Sequence, residues 1–393
     1  MDQRQSRIAA YVREIARRDG RTLDSFEVRP PQLPAVSIGD LVLGVRLSGK
    51  PRDVAPIKAL ESQLRPPLAI LGGSKPAGAK RTKAARAPHV DLPLAAVSPD
   101  LSITPEAADA FQRALADKPI SSQDANHLES VIIPTLRPAF DIIDETYAQL
   151  PGDWDPWNRA RATVEPLLRG VGRLQLTGHP SYTLVGTGFV CGPNTIVTNR
   201  HVAQIFVQGI AAGNQLTFSP GVTCAIEMLA EVGSPKSLPL NVTQPLVVST
   251  LWDIALLRVD ALPAGVSPLP LAGAAPASLA GGIATIVGYP SYDPYESFVD
   301  QANIFRAIFD RKRFQPGRLN GRTDVSSFGR TVSAIAHDCS TLGGNSGSAL
   351  ISAEPVHVVG IHFSGITHLS NYAIPTWELK SDPAFAGQHF NFV

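Results

Sequence analysis

Cysteine is scarce in this chain: Cys191, Cys224 and Cys339 are the only three in 393 residues. An odd, sparse set is not a disulfide framework, and its spacing does not suit a zinc site. Three buried thiols in a reducing compartment is the simplest reading; one bridge with a free thiol is the other. Net charge is nearly absent as well, because 35 Lys and Arg face 34 Asp and Glu. That balance gives no case for nucleic acid or an anionic surface as partner. A continuous hydrophobic run is also missing. Residues 261–292 carry no Asp, Glu, Lys or Arg, but Pro263, Pro268, Pro270, Pro276 and Gly281-Gly282 cut them into short pieces. No membrane span is expected. The first residues, M-D-Q-R-Q-S-R-I-A-A-Y-V-R-E-I-A-R-R-D-G, lack the apolar core of a secretory signal. A cytoplasmic protein is the expectation.

What the chain does have is Pro (34) and Gly (32), both above average, which favours turn-rich β structure over long helical bundles. At roughly 150 residues per domain, the length suggests two or three domains. Residues 1–71 form an N-terminal region that we expect to recruit a target or partner. Within it, residues 2–18 set Ile8, Val12 and Ile15 on one helical face, and I-G-D-L-V-L-G-V-R-L at 38–47 looks like a strand. Residues 72–89 read as a basic, flexible linker without acidic or large apolar residues. Residues 90–170 read as a helical lead-in. Thr104-Pro105-Glu106 is an N-cap followed by Pro at the first helical position, opening a helix over 105–117. Further helices are expected over 122–133 and 157–169. From Val171 to 393, short apolar runs alternate with Gly, Pro, Asn and Ser turns, the texture of an all-β barrel or sandwich. The basic stretch 306–330, centred on Arg311-Lys312-Arg313, reads as a solvated strand or loop.

Three motifs in the β region carry chemistry. G-T-G-F-V-C-G-P-N-T-I-V-T-N-R-H-V (186–202) is two strands followed by His201. In W-D-I-A-L-L-R-V (252–259), Asp253 opens an apolar strand. T-L-G-G-N-S-G-S-A-L (341–350) sets Ser346 in a glycine-bracketed turn. A serine hydroxyl is a poor nucleophile at neutral pH and needs a base whose pKa suits the task, which is histidine. The imidazole needs a carboxylate to fix its tautomer and stabilise the imidazolium. An acid leading a buried strand, in turn, needs a polar partner to offset its desolvation. The glycines permit a tight turn whose N–H groups converge, as a tetrahedral oxyanion requires. His201, Asp253 and Ser346 are therefore the candidate catalytic residues, with the oxyanion hole assigned to the N–H groups of Gly344 and Ser346. No metal or cofactor is called for.

In this order the motifs resemble the chymotrypsin-fold (trypsin-like) serine peptidases. T-N-R-H-V is similar to the family's histidine motif, W-D-I-A-L-L to its aspartate motif, and G-N-S-G-S to its nucleophile motif. V-V-G-I-H-F-S-G (358–365) resembles the strand that lines the substrate cleft, and I-V-G-Y-P (286–290) and Y-A-I-P (372–375) resemble further segments of bacterial members. The resemblance covers residues 170 to 380. It implies a mainly β protein of two six-stranded antiparallel β-barrels, with a triad in the cleft between them, acting on a protein or peptide. Asn345 stands where digestive members carry an Asp that pairs with a freed N-terminus. Asn cannot make that ion pair, a departure that resembles the bacterial branch of glutamyl endopeptidases and heat-shock-type peptidases. The resemblance implies a substrate pocket lined by Ser340, Thr341, His362, Ser364 and Gly365. No Asp stands at its base, so a preference for Arg or Lys is not expected. Thr341 with His362 resembles the glutamyl endopeptidase pattern, in which a hydroxyl and an imidazole bind a substrate carboxylate. Two other readings are a non-catalytic barrel used as a binding scaffold, and an esterase on the same triad.

Overall fold

The structure is a computed structural model describing residues 9, 12, 13, 105–121, 123, 137–210, 215–293, 298–366 and 370–393. The expected strand at 38–47, the linker 72–89, the proposed recruitment role of 1–71 and nearly all of the expected helix 122–133 lie outside the described residues. Of the expected helix at 2–18, positions 9, 12 and 13 are described and helical, with Ala9 and Val12 buried. Arg13 pairs with Asp117, beyond the end of helix α1 (Pro105–Leu115). Among the described residues no helix is long and apolar enough to cross a membrane.

The stretch leading into the β region is not purely helical. It opens with a hairpin, β1 (Phe140–Ile143) and β2 (Thr146–Tyr147). Asp144 and Glu145 at its tip both have positive φ, as a two-residue turn between twisted strands demands. The expected helix 157–169 is two short ones, α2 (Asp155–Arg159) and α3 (Arg161–Leu168), parted at Ala160.

Six strands then close a barrel. They are β3 (Val171–Thr177), β4 (Leu184–Gly192), β5 (Thr195–Thr198), β8 (Thr223–Glu227), β9 (Pro239–Val248) and β10 (Ala255–Val259), in spatial order β10-β5-β4-β3-β8-β9. Between β5 and β8 lie the one-turn helix α4 (Arg200–Ala203) and a small pair, β6 (Val207–Gln208) with β7 (Thr217–Phe218). Leu174, Val190, Ile196, Ile226 and Leu257 meet inside the barrel, each inward residue alternating with an outward one.

The second half consists of β11 (Ile283–Gly288), helix α5 (Phe298–Phe305), β12 (Arg313–Ser327), β13 (Arg330–His337), β14 (Ala349–Ala353), β15 (Val356–Ile366) and β16 (Ser370–Pro375). Its strands run β11-β14-β15-β16-β13-β12, and β12 pairs back onto β11. The outcome differs from two six-stranded barrels. One barrel is closed, and the other half is an eight-stranded sheet, a ring of six strands with β1 and β2 added. The addition arises because Phe140 and Asp141 pair with Phe314 and Arg313 of β12.

The two halves share one core. Phe189, Val197 and Leu256 of the barrel join Val287, Phe314, Ala349 and Ile361 of the ring. The lead-in contributes Tyr147, stacked on Phe314 at 4.4 Å, and Trp157, edge-on to it at 5.2 Å. Each such aromatic pair adds about 0.5–1.5 kcal/mol beyond simple burial.

The basic stretch is not solvated at its centre: Lys312 and Arg313 are both fully buried. Lys312 donates to the carbonyls of Leu168 and Met228 at 2.8 and 2.6 Å and faces Glu231 at 3.8 Å. Burial pushes its ammonium down to about 8, against the pull of Glu231. Arg313 donates to the carbonyls of Phe305 and Ile308 and pairs with Asp141, which also pairs with Arg306. Charge counting along the sequence could not find the acidic partners, because Asp141 arrives from the lead-in and Glu231 from the segment between β8 and β9. Asp141→Ala strands the Arg313 guanidinium in the core, and a loss of about 3–5 kcal/mol in urea unfolding is expected. A loss under about 1 kcal/mol would show that water reaches Arg313.

Candidate active site

His201 is set by the way strand β5 ends. The chain leaves the barrel at Thr198, and Asn199 precedes the single turn of α4 that carries the histidine. The buried Asn199 side chain donates to the Asp253 carbonyl at 2.9 Å and so ties this turn to the segment ahead of β10. The Asp253 carboxylate then grips His201 at two points. One oxygen accepts from the His201 backbone N–H at 2.9 Å, and the other lies 2.6 Å from the ring Nδ1. Asp253 is almost wholly buried, whereas the imidazole side chain is 39% exposed. Nδ1 is thus occupied and Nε2 is the ring nitrogen left to act.

Ser346 follows a 3-10 turn over Gly343–Asn345. Backbone bonds fix it from two sides. Its carbonyl accepts from Thr187 N–H of β4 at 2.8 Å, and Gly347 N–H donates to the His362 carbonyl of β15 at 2.9 Å. Gly347 has φ +89° and no room for a side chain: a β-carbon there would stand 2.1 Å from the Thr187 carbonyl oxygen. The Thr187 hydroxyl donates to the Gly344 carbonyl at 2.8 Å, and Thr198 in turn donates to the Thr187 carbonyl at 2.7 Å. The strand before His201 and the turn before Ser346 are therefore joined through Thr187.

Of the predicted catalytic residues, His201 and Asp253 are hydrogen-bonded to each other; no such bond links the Ser346 hydroxyl to His201 among the described residues. The Ser346 N–H points at the Gly343 carbonyl, 3.4 Å away. This carbonyl occupies one of the two donors expected to form an oxyanion hole.

The predicted pocket residues divide into two groups. Thr341 donates to Asn371 Oδ1 at 2.8 Å, and Asn371 Nδ2 donates to the Cys339 carbonyl at 2.7 Å. Gly365 pairs with Asn371 across β15 and β16, and the Asn371 amide fills the space above it, 2.0 Å from where a β-carbon would be. Ser364 is exposed beside Gly365. His362 is buried, with Nδ1 3.3 Å from His337 Nε2. Burial first, then the charge of His201, pushes the His362 imidazole down to about 3, so it is neutral at physiological pH. His337 is driven well below its ordinary value, first by burial and then by His362. Ser340 stands apart: its hydroxyl donates to the Arg137 carbonyl of the lead-in at 2.6 Å and is spent on structure.

Residues 186–361 match the family model of the trypsin-like peptidase domain. This segment is a trypsin-like serine peptidase domain. By class the enzyme is a serine endopeptidase, and its β halves have the chymotrypsin-like arrangement. A probable serine protease of Lysobacter enzymogenes is 28% identical over 298 residues, covering 66% of this chain and 74% of its own. Among solved structures, an inactive-form mutant of Rv3671c from M. tuberculosis H37Rv is 20% identical, with a TM-score of 0.38 over 60% of this chain and 93% of that one. Deg5 is 19% identical, with a TM-score of 0.40 over 58% of this chain and 93% of that one.

Several site residues of the peptidase escaped sequence reasoning. Thr187, Thr198 and Asn199 all lie inside the histidine motif, and each is a fully buried polar residue in or beside a barrel strand. That pattern signals a required hydrogen bond without naming its partner. Asn371 and His337 carry no signal of their own, because their roles come from strand pairing.

Proposed function

We propose that the enzyme cuts peptide bonds through a triad of Ser346, His201 and Asp253. The observation that carries this reading is the two-point grip of Asp253 on His201. With Nδ1–H held by the carboxylate, Nε2 is the acceptor and can take the Ser346 proton as the hydroxyl attacks the substrate carbonyl. The tetrahedral oxyanion is bound by the N–H groups of Gly344 and Ser346 once the Gly343 carbonyl turns away. His201 then protonates the leaving amine, leaving an acyl-enzyme on Ser346. Water repeats the cycle, its proton going to His201, and frees the serine. The test is labelling by a fluorophosphonate: it is expected in the native protein and absent in Ser346→Ala. Well-folded native protein that takes no label would favour a binding scaffold instead, and turnover of esters without peptides would favour an esterase.

We infer further that an acidic residue before the cut is preferred. The neutral His362 imidazole and the Thr341 hydroxyl are both donors to a carboxylate, and Thr341 has to exchange its bond to Asn371 for the substrate. The Asn371 amide above Gly365 leaves little depth for a large aromatic side chain. For peptides differing only in Glu, Gln, Leu or Arg before the cut, kcat/KM is expected to be highest for Glu, by about tenfold or more over Gln. A faster rate for Leu or Arg would end this reading. A reducing, cytoplasmic setting is supported by three free thiols, all buried; burial pushes that of Cys224 up to about 12, far from its reactive form.

A further inference from the structure

The turn that presents Ser346 has few side chains with which to hold its place. Gly343, Gly344 and Gly347 offer none, and glycine has the widest backbone freedom of any residue. Asn345 is the exception, and it is fully buried. Against it lies Gln315 of β12, also fully buried and paired in register with Ile286 of β11. The two amides exchange hydrogen bonds. Gln315 Nε2 donates to Asn345 Oδ1 at 3.0 Å, and Asn345 Nδ2 donates to Gln315 Oε1 at 3.3 Å. The Ser348 hydroxyl adds a bond to Asn345 Oδ1 at 3.4 Å. Gly288 makes room for the cluster, since a β-carbon there would stand 2.6 Å from Asn345 Oδ1.

We propose that Gln315 is a positioning residue for the reaction: through Asn345 it holds the Ser346 N–H and anchors the point about which the Gly344 N–H turns into place. The proposal rests on Ser346 being the nucleophile. Asn345 sits between those two donors in the chain, so a rotation at Asn345 moves both. The surroundings divide the turn into a held part and a free part. A β-carbon at Gly344 would be 2.1 Å from the Tyr289 carbonyl, whereas Gly343 has nothing within 4 Å. The amide pair and Tyr289 hold residues 344 and 345. Gly343, whose carbonyl now accepts from Ser346, is the place where the backbone has space to turn, and because the peptide is planar the Gly344 N–H swings round with that carbonyl. A neutral amide pair does this without a charge and without a freed chain end. Losing one amide leaves the other buried with unmet bonds, and the turn then has a reason to shift.

The test compares the native enzyme with Gln315→Leu, Gln315→Asn and the exchange Gln315→Asn with Asn345→Gln. Gln315→Leu is expected to lower kcat by about 10²–10³-fold, the size of effect seen when an oxyanion donor is misplaced. KM should change less than threefold, and affinity for a peptide boronate should fall in parallel with kcat. A merely structural role would lower the melting temperature and leave kcat intact well below it. The exchange restores the combined reach of the two amides and should regain at least tenfold over Gln315→Asn alone. A folded Gln315→Leu enzyme with kcat within threefold of native overturns the proposal, while native labelling by the fluorophosphonate leaves the triad standing. Should the leucine variant fail to fold, the exchange decides: no recovery overturns the positioning role. Native protein that takes no label overturns the triad, and this proposal with it.

Discussion

Ser346→Ala is expected to lower kcat on peptides by about 10⁵–10⁶-fold, the usual cost of removing a triad nucleophile. The fold should be unaffected, because what holds the turn is elsewhere. The bonds from Thr187 N–H and to the His362 carbonyl involve backbone only, and the hydroxyl contributes none of the described hydrogen bonds. Melting temperature should therefore move by no more than a degree or two. Substrate binding should persist, which makes this variant a trap for cleavage targets. Mapping cut sites in a proteome with native enzyme beside Ser346→Ala would read activity and side-chain preference together. Residual turnover within 100-fold of native would mean that another group performs the attack.

Asp253→Asn has the second-largest expected effect, about 10⁴-fold in kcat. The reason lies in the two-point grip. Both carboxylate oxygens accept from His201, one from the backbone N–H and one from ring Nδ1. An amide of the same shape can accept at only one of these points. With its oxygen toward the backbone N–H, its NH₂ faces Nδ1 and makes that nitrogen the acceptor. The ring proton then sits on Nε2, and the histidine can no longer take a proton from Ser346. In the proposed triad serine and aspartate act as one unit, so Ser346→Ala with Asp253→Asn should be no slower than Ser346→Ala alone. A further drop of more than tenfold in the double variant would show that Asp253 acts independently of the triad.

The chemistry of this site was more legible in the sequence than its support. His201, Asp253 and Ser346 each sit at the edge of an apolar run, where a polar residue needs a reason, and their motifs are local. Their supporting residues are not local. Gln315 sits on a different strand from the turn it braces, and Asn371 reaches Thr341 only because β16 pairs with β15. Strand register decides such contacts, and a single sequence does not display register. The same holds for the basic stretch. Arg311-Lys312-Arg313 looks solvated until Asp141 and Glu231 arrive from distant parts of the chain. Ser340, read as a pocket residue from its place beside the nucleophile turn, has a partner that the sequence did not display: its hydroxyl donates to the Arg137 carbonyl. The β1–β2 hairpin went unread because four residues of F-D-I-I, half buried, carry too short an alternation to stand out.

That hairpin has a consequence for how the molecule meets its neighbours. A barrel has no free strand, and the six-strand ring closes on itself where β12 returns to β11. Every open β-sheet ends in unpaired N–H and C=O groups on which another chain can build. Here β2, one border of the eight-stranded sheet, is two residues long, and the other border among the described residues is the part of the β12–β13 hairpin beyond the ring, where residues 323–327 and 330–334 pair only with each other. β2 offers an incoming strand almost no ladder to extend, so a chain adding to this sheet finds its longer template on the projecting hairpin.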